Sequence, residues 1–428
     1  MGNPTLENDK IEHQLQLTGS KVVVCSKDYL NKYKSLKTDI KALIVLDADS
    51  GDDLSLQQIL ETTSEVFEPT DEMMQVDIED PAIILWTSGS TGSPKGIVHT
   101  QKILLELDLV DCPASKKALV STSLYHAGGF AFPIYLGLKK QKSIGFITEF
   151  EPKDFLGQIA RFKAEFVICS SYVYIGIGNE TNSKQDFPFM KKILPLGGAF
   201  KDETHDRVLS VLGKHVAIEL VYGSSETYLI TLSTGDARRE FGLSGNLLPG
   251  CQLYIADIES GEKLGPNMLG KIMIKTPTLL KSYLKNPEAD HEFFHNDGFG
   301  YLGDIGYYTE QGDIYYSYRC KEILRVSSDW FSPVDIEYLI ESQAQVKEAV
   351  VWGDYDHDSG NDKVYLAVVL NDDVGIPLTK SDIKKLVEEK LIKEMQITGE
   401  IYFVKNIPHG ALMKKLRTKM KNYVNNLD

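Results

Sequence analysis

Short runs of β-branched and apolar residues alternate with segments in which apolar residues recur every three to four positions. The runs "KVVVCS", "ALIVLD", "AIILWT", "ALVSTS", "SIGFIT", "EFVICS" and "VAIELVYG" predict strands. Between them, "KDFLGQIARFK" and "KDETHDRVLSVL" predict amphipathic helices. This alternation is the signature of α/β layers. From about Leu253 to Tyr283 the strands shorten around "SGEKLGPNMLG", which predicts a small β subdomain. After "YYSYRCKE" the pattern changes again. From Ser332 it predicts a helix, two strands ("EAVVWG", "VYLAVVL"), a helix ("TKSDIKKLVEEKL"), a strand ("IYFV") and a basic terminal helix. The expected fold class is α/β: a large N-terminal α/β region, 1–317, with a small β subdomain, then a small α+β C-terminal domain, 318–428.

Composition agrees with a two-domain globular chain, since 428 residues at 42% hydrophobic exceed the usual single domain. The longest apolar runs are far short of a bilayer span, so no transmembrane segment is expected, and "MGNPTLENDK" lacks the features of a signal peptide. Five scattered cysteines without a CxxC pair suit reduced thiols. The terminal "NNLD" is no SKL-type address, and a cytoplasmic location is expected. A net charge of −15 repels polyanions and argues against nucleic acid as a partner.

Candidate chemistry begins behind "PAIILW". The stretch "TSGSTGSPKG", residues 87–96, gathers glycines, hydroxyl residues and one lysine. Glycines let backbone amides approach an anion, hydroxyls add donors, and lysine adds charge. Polyphosphate is the expected guest. The Walker pattern GxxxxGK[ST] is not met, because Lys95 is followed by Gly96. On these residues alone, a strand-to-helix turn with polar decoration fits as well.

Further segments follow in order: "SLYHAGG" (123–129), "LGGAF" (196–200), "VYGSSET" (221–227), "GNLLPG" (245–250), "GYLGDIGYYTEQGDIYY" (300–316), "YRCKEIL" (318–324) and "IPHGALMKKL" (407–416). Together with 87–96 they resemble the motifs of the AMP-forming adenylating enzymes, which include acyl-CoA synthetases, coumarate-CoA ligases and insect luciferases. The resemblance covers most of the chain and is strongest to the luciferase and coumarate-ligase branch.

It implies activation of a fatty or aromatic carboxylic acid by ATP to an acyl-adenylate, with release of pyrophosphate, followed by thioester formation with coenzyme A. Thr87, Ser88, Gly89, Ser90, Thr91, Gly92 and Lys95 would wrap the phosphates. Glu226 would hold Mg²⁺, a hard cation suited to carboxylate and phosphate oxygens. Thr227 would offer a hydroxyl to phosphate, and Ser225 and Gly223 complete that segment. Tyr222 would stack on adenine, with Gly197, Gly198 and Ala199 leaving room beside it. Asp304 would accept the ribose hydroxyls and Arg319 would be a ribose or phosphate contact. His126 would face the acid, with Tyr125 and Phe130 as walls. Lys414 would be carried by a mobile C-terminal domain to the α-phosphate. On the residues alone it is one solvated charge among Lys414, Lys415, Arg417, Lys419 and Lys421, and its neighbours are expected to matter little.

The sequence departs from the family pattern mostly in the C-terminal half. Tyr318 stands where a hinge aspartate is usual, Arg325 and Ser328 replace the lysine and glycine of a KxKG pattern, and Met413 replaces the glycine before Lys414. Leu302 and Ser282 depart as well. The motifs also begin early in the chain, as if about a hundred opening residues of a family member were absent; "KVVVCS" and "ALIVLD" would then expose a sheet edge. The alternatives are a catalytically impaired nucleotide-binding paralogue and, less in keeping with how this scaffold is used, luciferase-type oxidation.

Overall fold

A computed structural model describes the chain except residues 1, 48–53, 63–67, 88–93, 108–114, 148–151, 181–185, 199, 201, 234–239, 327–328, 357–360, 372–377, 410–414 and 427–428. The fold is mixed α/β, with a large N-terminal part and a smaller C-terminal one.

Its centre is a five-stranded parallel sheet in the order Ala217–Ile218, Lys192–Leu196, Phe166–Ser170, Lys117–Val120, Ser143–Phe146. These strands read as near-continuous apolar runs because both faces are covered. One cover includes helices Pro152–Phe162, Ser171–Asn179 and Asp202–Leu212, which pack through Leu156, Ile159, Val173, Ile177 and Val208. The other is helix Ala127–Pro133 and the π-helical turn Ile134–Lys139, packed through Ala131, Phe132 and Leu136.

The run "VAIELVYG" is not one strand. Ala217–Ile218 closes the parallel sheet, and Val221–Ser224 opens an eight-stranded sheet whose pairings are antiparallel. The change of sheet occurs at Glu219 and Leu220, where a buried carboxylate ion-paired with Lys192 interrupts the otherwise apolar run. The expected small β region between Leu253 and Tyr283 lies mostly within this larger sheet, beside the hairpin of Gly300–Tyr308 and Ile314–Arg319.

At the start of the chain Val22–Cys25 forms the outer strand of a three-stranded parallel sheet, with Val22 and Val24 exposed. The C-terminal part has helix Pro333–Glu341, the long pair Val346–Asp356 and Asn361–Leu370, helix Lys380–Lys390 with a Thr379/Asp382 capping box, and strand Ile401–Phe403. Its core gathers Ile336, Ile340, Val351, Leu366 and Ile383. The predicted terminal helix is short, a 3₁₀ turn at Arg417–Lys419 running into Met420–Asn425. Among the described residues no helix is long and apolar enough to cross a membrane.

Candidate active site

A cavity of about 1220 Å³ lies where the two sheets, the helix after His126 and the C-terminal part meet. One side of it starts from a pair of strands. Pro81–Trp86 pairs antiparallel with Gly96–Thr100, a strand buried throughout its length that the sequence reading did not separate from the loop. The segment therefore leads from one strand into another, not from a strand into a helix. The Thr87 amide donates to the Lys95 carbonyl (3.0 Å) and the Lys95 amide to Thr87 Oγ1 (3.0 Å), so two hydrogen bonds fix the neck. Ser88, Gly89, Ser90, Thr91 and Gly92 lie outside the described residues.

The neck leads to Glu226. Lys95 Nζ stands 5.3 Å from the Tyr283 ring centroid, and the Tyr283 hydroxyl donates to Glu226 Oε1 (3.0 Å). Tyr283 held no role in the sequence reading; its strand Ser282–Tyr283 pairs with Gly96–Thr100 through contacts about 185 positions apart in sequence. Burial, then the Glu226 charge, pushes the Tyr283 phenol far up, so it stays a donor.

The "VYGSSET" turn is tight enough to need its glycine: a Cβ on Gly223 would come within 1.9 Å of the Tyr228 carbonyl oxygen. Ser224, Ser225 and Glu226 line the cavity. Thr227 is fully buried, and its hydroxyl accepts from the Ser224 amide (3.1 Å) and donates to the Tyr228 carbonyl (3.0 Å), which holds the turn. The Ser225 carbonyl accepts from His99 Nε2 (3.0 Å). His99 is fully buried on the strand Gly96–Thr100, and burial lowers its pKa to about 4, so it is neutral. Nothing in the sequence singled it out.

Asp304, Tyr222 and Arg319 meet on the eight-stranded sheet, where Asp304 is paired directly across from Arg319. The Tyr222 hydroxyl donates to Asp304 Oδ2 (2.8 Å), and Arg319 Nε lies 3.0 Å from Oδ1. Arg319 also donates to the Leu302 carbonyl (2.7 Å). Burial and the Asp304 carboxylate push the Tyr222 phenol well above its ordinary value. Burial opposes the Arg319 charge, but Asp304, Tyr316, Tyr222 and Glu226 together outweigh it and raise the guanidinium pKa. The Tyr222 ring faces Tyr316, with centroids 6.1 Å apart. Gly197, at φ +92, and Gly198 line the same cavity, whereas Ala199 lies outside the described residues.

His126 caps the N-terminus of helix Ala127–Pro133 and faces the cavity, its ring 4.5 Å from that of Tyr125. The cavity wall beside it is Ala127, Gly128, Ala131 and Phe132, in place of the expected Tyr125 and Phe130. Helical spacing explains this: 127, 128, 131 and 132 share one face, while Phe130 packs into the core.

Lys414 lies outside the described residues, but the residues flanking 410–414 do not. The Leu416 amide donates to the Pro408 carbonyl (2.8 Å), His409 bridges Lys415, and His409 Nε2 is 2.6 Å from Glu348 Oε1. Lys415 and Arg417 are not a solvated face, contrary to the sequence expectation. Lys415 donates to Glu341 (2.6 Å) and to the Ala349 carbonyl (2.6 Å). Arg417 donates to Glu322 (2.6 Å), to Glu337 (2.8 Å) and to the Val351 carbonyl (2.7 Å). Burial alone would raise the Glu337 carboxylate, yet Lys415 and Arg417 hold it below its ordinary range. Tyr318 is buried in strand Ile314–Arg319, opposite Ile305. Ser328 and Met413 lie outside the described residues.

Among the described residues no group of three or more His, Cys, Asp or Glu side chains converges on a metal position. A cation at Glu226 would draw most of its ligands from phosphate oxygens and water, as Mg²⁺ commonly does.

Comparison with known proteins now adds to this geometry. The sequence profile of the AMP-binding enzymes matches residues 1–284, and that of the AMP-binding enzyme C-terminal domain matches 335–414. The chain is 25% identical to 4-coumarate–CoA ligase 3 of Arabidopsis thaliana, over 98% of this chain and 76% of that protein. It is 26% identical to luciferin 4-monooxygenase of Nipponoluciola cruciata, over 95% and 76%. The fold superposes on ATP-bound MatB from Rhodopseudomonas palustris with a TM-score of 0.84 at 24% identity, over 100% of this chain and 83% of MatB. Profile, relatives and fold agree that the chain belongs to the AMP-binding enzyme family, with acid–CoA ligases among its relatives.

Proposed function

We propose that this protein activates a carboxylic acid with ATP, forming an acyl-adenylate and releasing pyrophosphate, and that coenzyme A then takes the acyl group. The observation that carries this reading is the Asp304–Tyr222–Arg319 cluster on the floor of a cavity that also holds the phosphate-loop neck and Glu226. A carboxylate already gripped by a neutral phenol and a guanidinium is preorganised to accept hydroxyl donors, and ribose supplies two.

In this reading the 87–95 loop, with Lys95 at its neck, surrounds the β and γ phosphates. Gly197, Gly198, Ala199 and Gly223 leave space for adenine beside Tyr222. Glu226, held by Tyr283, is the protein carboxylate for Mg²⁺, which neutralises phosphate charge when bound. His126 orients the acid, and Lys414 meets charge that develops at the α-phosphate. Thr227 and Ser225 act by shaping the turn that carries Glu226. The division into 1–317 and 318–428 belongs to the same proposal, as do a cytoplasmic location and the absence of nucleic acid partners.

The test is ATP–pyrophosphate exchange by the purified protein across a panel of aromatic and fatty acids. Acid-dependent exchange supports adenylation, and coenzyme A-dependent consumption of the adenylate supports the second step. No exchange with any acid, at measurable ATP affinity, favours a second reading, a nucleotide-binding relative without ligase activity. That alternative draws on Tyr318: a hinge there would have to disrupt a buried strand pairing with Ile305.

A further inference from the structure

Tyr228 sits at odds with its own backbone. Its φ is +53, in the left-handed region where a bulky side chain is disfavoured, and it directly follows the buried Thr227. The turn imposes this value, because the Tyr228 carbonyl lies against Gly223 and accepts from Thr227. Glycine or asparagine would relax the strain. A tyrosine held there instead points to a use for its side chain.

The position of the ring shows what that use is. Tyr228 is 4% exposed and lines the cavity, facing the helix wall of Ala127, Ala131 and Phe132. That wall joins the small Ala127 and Ala131 to the Phe132 ring, so the chamber is open beside the alanines and bounded by aromatic rings. Beyond Tyr228 lies packed core, with Leu85, Val120, Ile168 and Leu194 all fully buried. Its hydroxyl has no hydrogen-bond partner among the described residues, and its other neighbour is the His99 ring, 4.7 Å between centroids. The fold thus uses the volume of the ring, and no described residue hydrogen-bonds the phenol oxygen.

We infer that Tyr228 is a specificity-determining residue that closes the acid end of the cavity and restricts the site to compact carboxylic acids. This rests on the adenylating reading above. A chain longer than the chamber must displace the ring, and the ring has close-packed core behind it. Loss of side-chain volume at 228 opens depth into the same apolar layer, whereas loss of the hydroxyl alone does not.

The experiment uses acyl-sulfamoyl-adenosines, unreactive mimics of acyl-adenylates, with butanoyl, octanoyl and dodecanoyl groups, titrated calorimetrically into the full chain beside AMP. The parent should bind the butanoyl mimic at least about tenfold more tightly than the dodecanoyl one. Tyr228→Gly and Tyr228→Asn, both compatible with a left-handed residue, should bring the two within about threefold, and Tyr228→Phe should keep the discrimination. Either small variant suffices if the other fails to fold. A parent that binds dodecanoyl as tightly as butanoyl overturns the inference, whatever the variants do. So does an unchanged ratio in a folded small variant. If AMP binds and the ladder is flat, only the inference fails; if neither AMP nor any mimic binds, the adenylating reading falls and the inference with it.

Discussion

Two necks flank residues 88–93 and 410–414, and they are held by different chemistry. At the first, two hydrogen bonds from backbone amides join Thr87 and Lys95, and the Lys95 ammonium lies near the Tyr283 ring and makes a loose, exposed ion pair with Glu292 at 3.7 Å. At the second, Lys415 and Arg417 sink beside Glu337, Glu341 and Glu322. Neutral hydrogen bonds leave Lys95 able to change partners. Buried charges hold one arrangement strongly, because a cation withdrawn from water tolerates no loss of its carboxylate. The first neck thus leaves its cation available, while the second uses its flanking cations as anchors.

The largest expected effect tests the second neck. Glu337→Ala strands Arg417 and Lys415 in a dry setting and should lower stability by about 3–5 kcal/mol, read by chemical denaturation. A loss below about 1 kcal/mol would mean that water reaches these cations and that the two necks are alike.

The next contrast is in pH. His99, on the strand leaving the first neck, has its pKa depressed to about 4. The unfolded chain therefore binds a proton that the folded one refuses, so stability declines as pH falls below about 6.5 and the loss is complete near 4, roughly 3 kcal/mol in all. Glu337 has a lowered pKa too, but its contribution is present above the ordinary carboxylate range and disappears only as pH falls through its folded value. His99→Gln, which keeps a donor for the Ser225 carbonyl, should flatten the pH 4–6.5 part of the stability curve and leave the more acidic part intact. An unchanged curve in that window would show that His99 is not the titrating group.

Smaller effects belong to the first neck. Thr87→Val removes the acceptor for the Lys95 amide and should cost about 1 kcal/mol in stability. Glu292→Gln should change stability by less than about 1 kcal/mol, since the pair is exposed and long. If Glu292→Gln proved the costlier of the two, an ion pair and not the hydrogen-bonded neck would be the main support of Lys95.

The sequence by itself determined the alternation of layers, because strands such as "EFVICS" and helices such as "KDFLGQIARFK" carry their period locally. It also determined the order of the chemical motifs, and the residues placed together at the cavity, Glu226, Asp304, Arg319, His126 and Lys95, were all named from those strings. Tertiary structure alone decided the rest. Tyr283 reaches Glu226 through a strand pairing across distant sequence, and Tyr222 reaches Asp304 through the arrangement of a sheet whose strand order is not sequential. The split of "VAIELVYG" between two sheets is marked in the sequence by Glu219 alone, and which sheet each apolar half joins is set by strand pairing. Lys415 and Arg417 read as solvated charge because a sequence shows a cation without showing the carboxylates that neutralise it, and burial is decided by partners that lie 66 to 95 positions away.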